Sequence, residues 1–133
     1  MLSRIDHVGV AVADVGEALR LYEGSFGLRV YHREVLYDQG VEAVALQIGA
    51  SAIELLRPIR DDSPVGRFLA EKGPGIHHLA YAVEDIEAAL SRLKADGVRL
   101  VDETPRVGLG GTKIAFIHPN GTFGVLSELI QRV

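Results

Sequence analysis

Ile5-Asp6-His7-Val8-Gly9-Val10-Ala11-Val12-Ala13-Asp14, close to the start of the chain, returns as Ile76-His77-His78-Leu79-Ala80-Tyr81-Ala82-Val83-Glu84-Asp85. The offset is 71 throughout (76 − 5 and 85 − 14), with Ile, His, Ala, Val and Asp recurring at matching places. The correspondence runs on. Ala18-Leu19 answers to Ala89-Leu90, and after a gap of one residue Gly27-Leu28-Arg29-Val30 answers to Gly97-Val98-Arg99-Leu100. Self-similarity of this kind marks one supersecondary unit used twice, neither copy burying its apolar face well alone.

Each copy opens with an alternating segment that predicts a strand, followed by Asp14 or Asp85 as a helix cap. Apolar residues at helical spacing come next: Val15, Leu19 and Tyr22 in copy one, Ile86, Ala89, Leu90 and Leu93 in copy two. Gly27 and Gly97 stop the helices. Strands are then expected over 28–37, 41–48 and 52–57 in copy one. Copy two offers 98–101, 113–118 and 123–130, the last two joined through the turn Pro119-Asn120-Gly121. Between the copies, Ser63 as cap, Pro64 at the first helical position and Phe68-Leu69 facing inward predict a short linker helix, and Lys72-Gly73-Pro74-Gly75 ends it. The expected fold is α+β: two tandem βαβββ modules forming one curved, barrel-like mixed sheet with helices outside. Residues 1–133 are expected to make one domain, with module one at about 3–58, a linker helix at about 61–73 and module two at about 75–131.

Composition narrows the chemistry. A chain of 133 residues with 47% apolar and 24% charged residues has the make-up of a globular protein. Without cysteine there are no disulfides and no thiolate ligands, so any bound metal is held by nitrogen or oxygen donors, which points to catalysis more than to structural zinc. A net charge of −4 argues against a nucleic-acid surface but leaves room for a small phosphate-bearing ligand held by a few arginines. The chain enters a strand pattern from Met1 with no targeting segment and no long apolar span, so no membrane partner and a cytoplasmic location are expected.

His7 and His78 occupy the same place in the two copies, and so do Glu54 in Ala52-Ile53-Glu54-Leu55-Leu56 and Glu128 in Leu126-Ser127-Glu128-Leu129-Ile130, at an offset of 74 (128 − 54). A carboxylate among apolar strand residues needs a cation or a metal beside it. With pseudo-twofold symmetry the four side chains are expected to converge on one divalent ion such as Co²⁺, Mn²⁺, Ni²⁺ or Zn²⁺. The competing arrangement turns both glutamates to solvent and leaves the histidines in the core.

The other candidates are less distinctive. His32 reads as a hydrogen-bonded core histidine, and His77, next to His78, faces the opposite side and is structural. His118, before Pro119, ends a strand and is either a substrate contact or a packing residue. Gly108-Leu109-Gly110-Gly111-Thr112-Lys113 is either a flap offering backbone N–H groups or a plain connection.

The repeat and its His–Glu–His–Glu set resemble the vicinal-oxygen-chelate (glyoxalase/bleomycin-resistance/dioxygenase) superfamily. Within it, the sequence is most similar to the methylmalonyl-CoA epimerase family over nearly its whole length. Glu54-Leu55-Leu56-Arg57-Pro58, residues 62–69 with their Ser63-Pro64, Gly75-Ile76-His77-His78-Leu79-Ala80, Phe116-Ile117-His118-Pro119 and Gly124-Val125-Leu126-Ser127-Glu128-Leu129 carry the resemblance beyond the ligands. It implies an isomerase that interconverts the (R) and (S) forms of methylmalonyl-CoA by α-proton transfer through a metal-stabilised enolate, with Co²⁺ favoured. His7, Glu54, His78 and Glu128 would be the metal ligands, and Glu128 one of two bases on opposite faces of the α-carbon. Some family members carry the other base, a glutamate, in the strand after a Gln-Gly-Val segment. Here Gln39-Gly40-Val41 is followed by Glu42, while the aligned position is Ala43. Glu42 is therefore the expected second base only if a bulge at Gly40 turns it to the site; otherwise it is a solvated strand carboxylate. An acyl-CoA substrate and a homodimer are the implied partners, with Arg57, Arg60 and Lys113 as candidates for the CoA portion or as ordinary surface charges. Two alternatives stay open: a glyoxalase I-type lactoylglutathione lyase, and a metal-free small-molecule binder.

Overall fold

The computed structural model describes residues 1–132. Contacts divide the chain into two compact units, residues 7–77 and residues 1–6 together with the chain from His78 onward. Both boundaries fall inside strands, immediately before the repeated histidines His7 and His78.

In the unit of residues 7–77, β1 (Leu2–Ala11) contributes its second half, followed by α1 (Val15–Leu19), β2 (Arg29–Leu36), β3 (Val41–Ile48), β4 (Ser51–Pro58) and α2 (Pro64–Lys72). The strands lie in the order β2-β3-β4-β1. β1 and β4 run parallel, from His7 opposite Ala52 to Ala11 opposite Leu56, and the other pairs are antiparallel. The Asp14 carboxylate caps α1 through the Glu17 N–H. On the helix side of this sheet Val15, Val44, Leu46 and Leu55 are buried together with Val10, Leu19 and Tyr22.

The expected α-helix holds for only five residues before the chain widens into a π-helical turn over Arg20–Ser25. Phe26 donates its N–H to the carbonyl of Leu21 at 2.8 Å, five residues back. Copy one has one residue more than copy two between its leucine and its glycine (Leu19 to Gly27 against Leu90 to Gly97). A π-turn absorbs one inserted residue without displacing the flanking elements, so the gap in the repeat and the widened turn are one feature.

The linker helix forms as expected. Ser63 accepts from the Gly66 N–H and donates to the carbonyl of Arg60, closing the turn from both sides. Gly66 is required there, since a Cβ would lie 2.6 Å from the Asp61 carbonyl oxygen. The ring of His77 packs edge-on against Phe68 of α2 at 5.2 Å.

The second unit holds Leu2–Asp6 of β1 together with β5 (Gly75–Val83), α3 (Ile86–Ala95), β6 (Arg106–Val107), β7 (Lys113–Ile117) and β8 (Ser127–Gln131), in the order β1-β5-β8-β7-β6. β5 and β8 are parallel, and β8, β7 and β6 antiparallel. α3, capped by Asp85, covers a core of Val83, Ile86, Ala89, Leu90, Ala115, Ile117 and Leu129.

Two expected strands of copy two differ. Over 98–101 only Leu100 bridges, to Ile117, and the second strand of module two is the short β6. The side chain of Asp102 takes the Phe116 N–H at 2.9 Å, where a longer strand would have supplied a carbonyl. The strand expected over 123–130 starts at Ser127, because Phe123 (φ 57°) and Gly124 (φ 90°) occupy left-handed conformations incompatible with extended backbone.

Asp6 ties the N-terminal strand to the end of the chain. It is 1% exposed and accepts from Arg132 Nε and Nη2, both at 2.8 Å, and from Arg4 at 3.0 Å. Asp6 is buried while both arginines keep partial access to water, so its removal forfeits charge-assisted hydrogen bonds without stranding a buried cation. Asp6→Ala should therefore cost about 1–2 kcal/mol of unfolding free energy, read by denaturant titration. Burial and the nearby Lys72 ammonium lower the pKa of His77 to about 4. The unfolded chain takes up this proton below its ordinary value near 6.5, whereas the folded protein resists it down to about 4. Stability should thus fall as pH drops through that window, by about 3 kcal/mol, and His77→Leu should flatten that part of the stability–pH curve.

Candidate metal centre

In the first unit, Val10 of β1 and Ile53 and Leu55 of β4 face the helix side, so strand alternation turns His7 and Glu54 to the other side. Glu54 stands opposite Gly9 on β1, two residues beyond His7, and opposite Ala45 on β3. Its Oε2 lies 3.3 Å from His7 Nε2, and their side chains are 12% and 2% exposed. Gly9, Ala45 and Ala52 surround the pair with small side chains.

The second unit repeats the arrangement one copy later. Glu128 on β8 stands opposite Ala80 on β5, again two residues beyond its histidine. Its Oε2 lies 3.7 Å from His78 Nε2, both side chains being almost fully buried. Ala80, Ala82, Ile114, Phe116 and Ile130 pack on this face, and the Phe116 ring meets the His78 ring edge to face at 5.6 Å. The alternative with outward-turned glutamates is excluded in both units, since each glutamate contacts its own histidine.

The donors fit a divalent ion. Each unit offers one imidazole nitrogen and one carboxylate oxygen on one face of its sheet. Two adjacent ligands on bonds of about 2.1 Å stand about 3 Å apart, close to the 3.3 and 3.7 Å spacings here.

Glu42 is placed elsewhere. The β3–β4 register runs unbroken from Val41 to Ile48, and the β2–β3 register is regular beside it, so no bulge at Gly40 reorients the side chain. Alternation puts Glu42 on the helix side with Val44 and Leu46, while Ala43 and Ala45 face the side of Glu54. There it accepts from Arg33 at 2.9 Å and Arg57 at 3.2 Å. The hydrogen bond from Arg33 foremost, assisted by Arg57, holds its carboxyl below the usual carboxylate range, which weakens it as a proton acceptor. The expected catalytic position of Glu42 is corrected accordingly.

Of the other sequence candidates, His32 is not a core residue; it lies half-exposed on the edge strand β2 and pairs with Glu34 at 3.0 Å. His118 Nδ1 accepts from the Asn120 N–H and caps the turn after β7. Arg57 is engaged with Glu42, Arg60 with Asp62 and the Tyr37 carbonyl, and Lys113 with Glu87. In the Gly108–Lys113 segment the N–H groups of Gly108 and Gly111 close the loop on itself, as does the Thr112 hydroxyl.

Arg106 was not legible in the sequence. It stands opposite Ile114, on the face that carries Phe116, His78 and Glu128. Its Nε and Nη2 donate to Asp102 Oδ2 at 3.3 and 3.1 Å, and its guanidinium lies 5.5 Å from the Phe116 ring centroid. Asp102 sits in irregular chain and Arg106 in a strand of two residues, too short for a hydrophobic period to mark a facing direction.

A sequence model of the Glyoxalase/Bleomycin resistance protein/Dioxygenase superfamily matches residues 6–116. The chain is 41% identical to the uncharacterized protein YqjC of Bacillus subtilis (strain 168), over 98% of this chain and 93% of that protein. It is 40% identical to the ethylmalonyl-CoA/methylmalonyl-CoA epimerase of Cereibacter sphaeroides, over 98% of this chain and 99% of the relative. Among solved structures, a Streptomyces coelicolor methylmalonyl-CoA epimerase in complex with 2-nitronate-propionyl-CoA aligns with a TM-score of 0.97 at 40% identity, over 100% of this chain and 96% of that one. Two βαβββ copies with equivalent His–Glu pairs, and similarity spanning both, place the chain in the glyoxalase/bleomycin-resistance/dioxygenase superfamily, in the branch that holds the methylmalonyl-CoA epimerases.

Proposed function

We propose that this chain is a metal-dependent epimerase that interconverts (R)- and (S)-methylmalonyl-CoA. The observation that carries the proposal is the duplicated His–Glu pair at equivalent register, in a chain 40% identical to a curated epimerase along its length. In this proposal His7, Glu54, His78 and Glu128 hold one divalent ion. His7, Glu54 and His78 each offer one ligand atom of a type suited to that task. Two imidazoles and two carboxylates suit Co²⁺, our first choice, and also Mn²⁺, Ni²⁺ or Zn²⁺. Such an ion supplies Lewis acidity toward a thioester oxygen, which makes the neighbouring α-hydrogen acidic enough to be removed.

The remaining steps belong to the chain. Glu128, 5% exposed at its side chain, accepts the α-proton on one face of the substrate carbon. Phe116, opposite Glu128 on β7 and against His78, walls this side with an apolar ring that keeps bulk water from the carboxylate. Glu54 coordinates without transferring a proton, being the equivalent member of the other copy. On β3 the residues that share the side of Glu54 are Val41, Ala43, Ala45 and Gln47, so proton delivery to the second face does not use a β3 carboxylate.

We further propose that the enzyme works as one domain and as a homodimer in the cytoplasm, with an acyl-CoA as its small-molecule partner. Edge strands β2 and β6 leave ladder groups for another chain to cover, which supports pairing. The lack of cysteine suits a reducing compartment, and among the described residues no helix is long and apolar enough to cross a membrane.

Incubation of one methylmalonyl-CoA epimer in D₂O with the Co²⁺-loaded protein should introduce deuterium at the α-carbon, and Glu128→Gln should abolish it. No exchange by a fully metallated protein, or turnover of a glutathione hemithioacetal in its place, would overturn the proposal. His7→Ala and Glu54→Ala should each weaken Co²⁺ binding at least ~10–100-fold by calorimetric titration, with the folded far-UV spectrum retained.

A further inference from the structure

We propose that Arg106 reads the free carboxylate of the acyl group and so sets a preference for dicarboxylic over monocarboxylic acyl-CoA thioesters. This rests on the epimerase assignment above and deepens it.

Three observations converge on Arg106. The first is its face. Directly opposite residues of an antiparallel pair share a side, and Arg106 is opposite Ile114, which packs with Phe116, Ala80 and Ile130. His78 is two residues from Ala80 and Glu128 two from Ile130, so the guanidinium lies on the side of the sheet that carries this His–Glu pair.

The second is its fixation. Asp102 Oδ2 takes both Nε and Nη2 of Arg106, and it also takes the Phe116 N–H. The carboxylate that orients the arginine is thus anchored to the backbone of the strand that presents Phe116. Underneath, the cation rests over the Phe116 ring, which in turn abuts His78. An arginine tethered at one edge and supported below loses little freedom when it meets a ligand.

The third is its remaining capacity. Guanidinium carries five N–H donors in a planar fork. Asp102 engages the Nε–Nη2 edge, while Nη1 has no protein acceptor among the described residues, and the side chain is 37% exposed. The Nη1 side is the half able to grip a carboxylate oxygen.

Position decides which anion. Only one aromatic ring separates the guanidinium from His78, whereas the phosphates of CoA lie a whole pantetheine arm from the thioester. The anion within reach of a group so placed is the carboxylate borne by the α-carbon itself. Methylmalonyl-CoA and ethylmalonyl-CoA carry one; propionyl-CoA and butyryl-CoA do not.

The test compares wild type, Arg106→Met and Arg106→Lys, each loaded with Co²⁺, in calorimetric titrations with methylmalonyl-CoA and with propionyl-CoA. Arg106→Met keeps a long chain over Phe116 and removes the charge. It should weaken methylmalonyl-CoA binding about 10–100-fold, leave propionyl-CoA and Co²⁺ affinities unchanged, and be partly rescued in Arg106→Lys. In turnover the loss should appear in KM more than in kcat. Equal losses for the two thioesters would mean that Arg106 serves the CoA arm. A fall in Co²⁺ affinity would mean a structural role, and unchanged affinities would mean none; each of these overturns the proposal. A metallated wild type that neither binds methylmalonyl-CoA nor exchanges its α-proton would bring down the epimerase assignment and this inference with it. Active wild type with an indifferent Arg106→Met would bring down this inference alone.

Discussion

A carboxylate on a buried strand has to meet a partner that repays its lost hydration, and in this chain that demand organises both copies of the repeat. Parallel pairing of β1 with β4, and of β5 with β8, answers it identically: the glutamate stands opposite the residue two places past the histidine. A strand pair can place two side chains on one face at that spacing only in this register, since a slip of one residue would send one of them to the helix side. The apolar packing under α1 and α3 holds the register, because the same slip would expose Leu55 or Leu129 in place of the acid. Core and site therefore enforce one another.

Much of this was legible because duplication supplies its own control. His7 alone is an ordinary buried histidine; His7 with His78 at a constant offset, each followed by a glutamate in a matching strand, is a pattern with few structural explanations. The helix caps Asp14, Ser63 and Asp85 were equally readable, since side-chain capping is local in sequence. Even the single unmatched residue of copy one had a structural meaning, as a π-helical turn. Where the two copies diverge, the reading failed. In residues 98–107 of copy two the counterpart of β2 shrinks to the two-residue β6, and the expected strand before it gave way to one bridge and a hydrogen bond that the Asp102 carboxylate accepts from the Phe116 N–H.

Glu42 shows the limit of alignment by motif. The Gln39-Gly40-Val41 segment marks the position well, yet one residue decides the side of the sheet, and the pleat gives that side to Ala43. Arg33 and Arg57 then make of Glu42 a cross-strand link on the helix side. The Arg106–Asp102 pair was invisible for the converse reason: its partners are close in space through an irregular segment, and no period announces them.

The link between Asp6 and Arg132 spans 126 positions, nearly the full chain. During synthesis, residues 7–77 can assemble their sheet once they emerge, but the segment Leu2–Asp6 has its place in a unit whose strand β8 begins only at Ser127. Until its ladder neighbour β5 is made, that segment waits as an unpaired strand edge, the kind of surface that recruits chaperones or a neighbouring nascent chain. Closing the longer loop between Asp6 and Arg132 adds little thermodynamic cost but delays the step, so the ion pair that fastens this segment forms after its strand pairing.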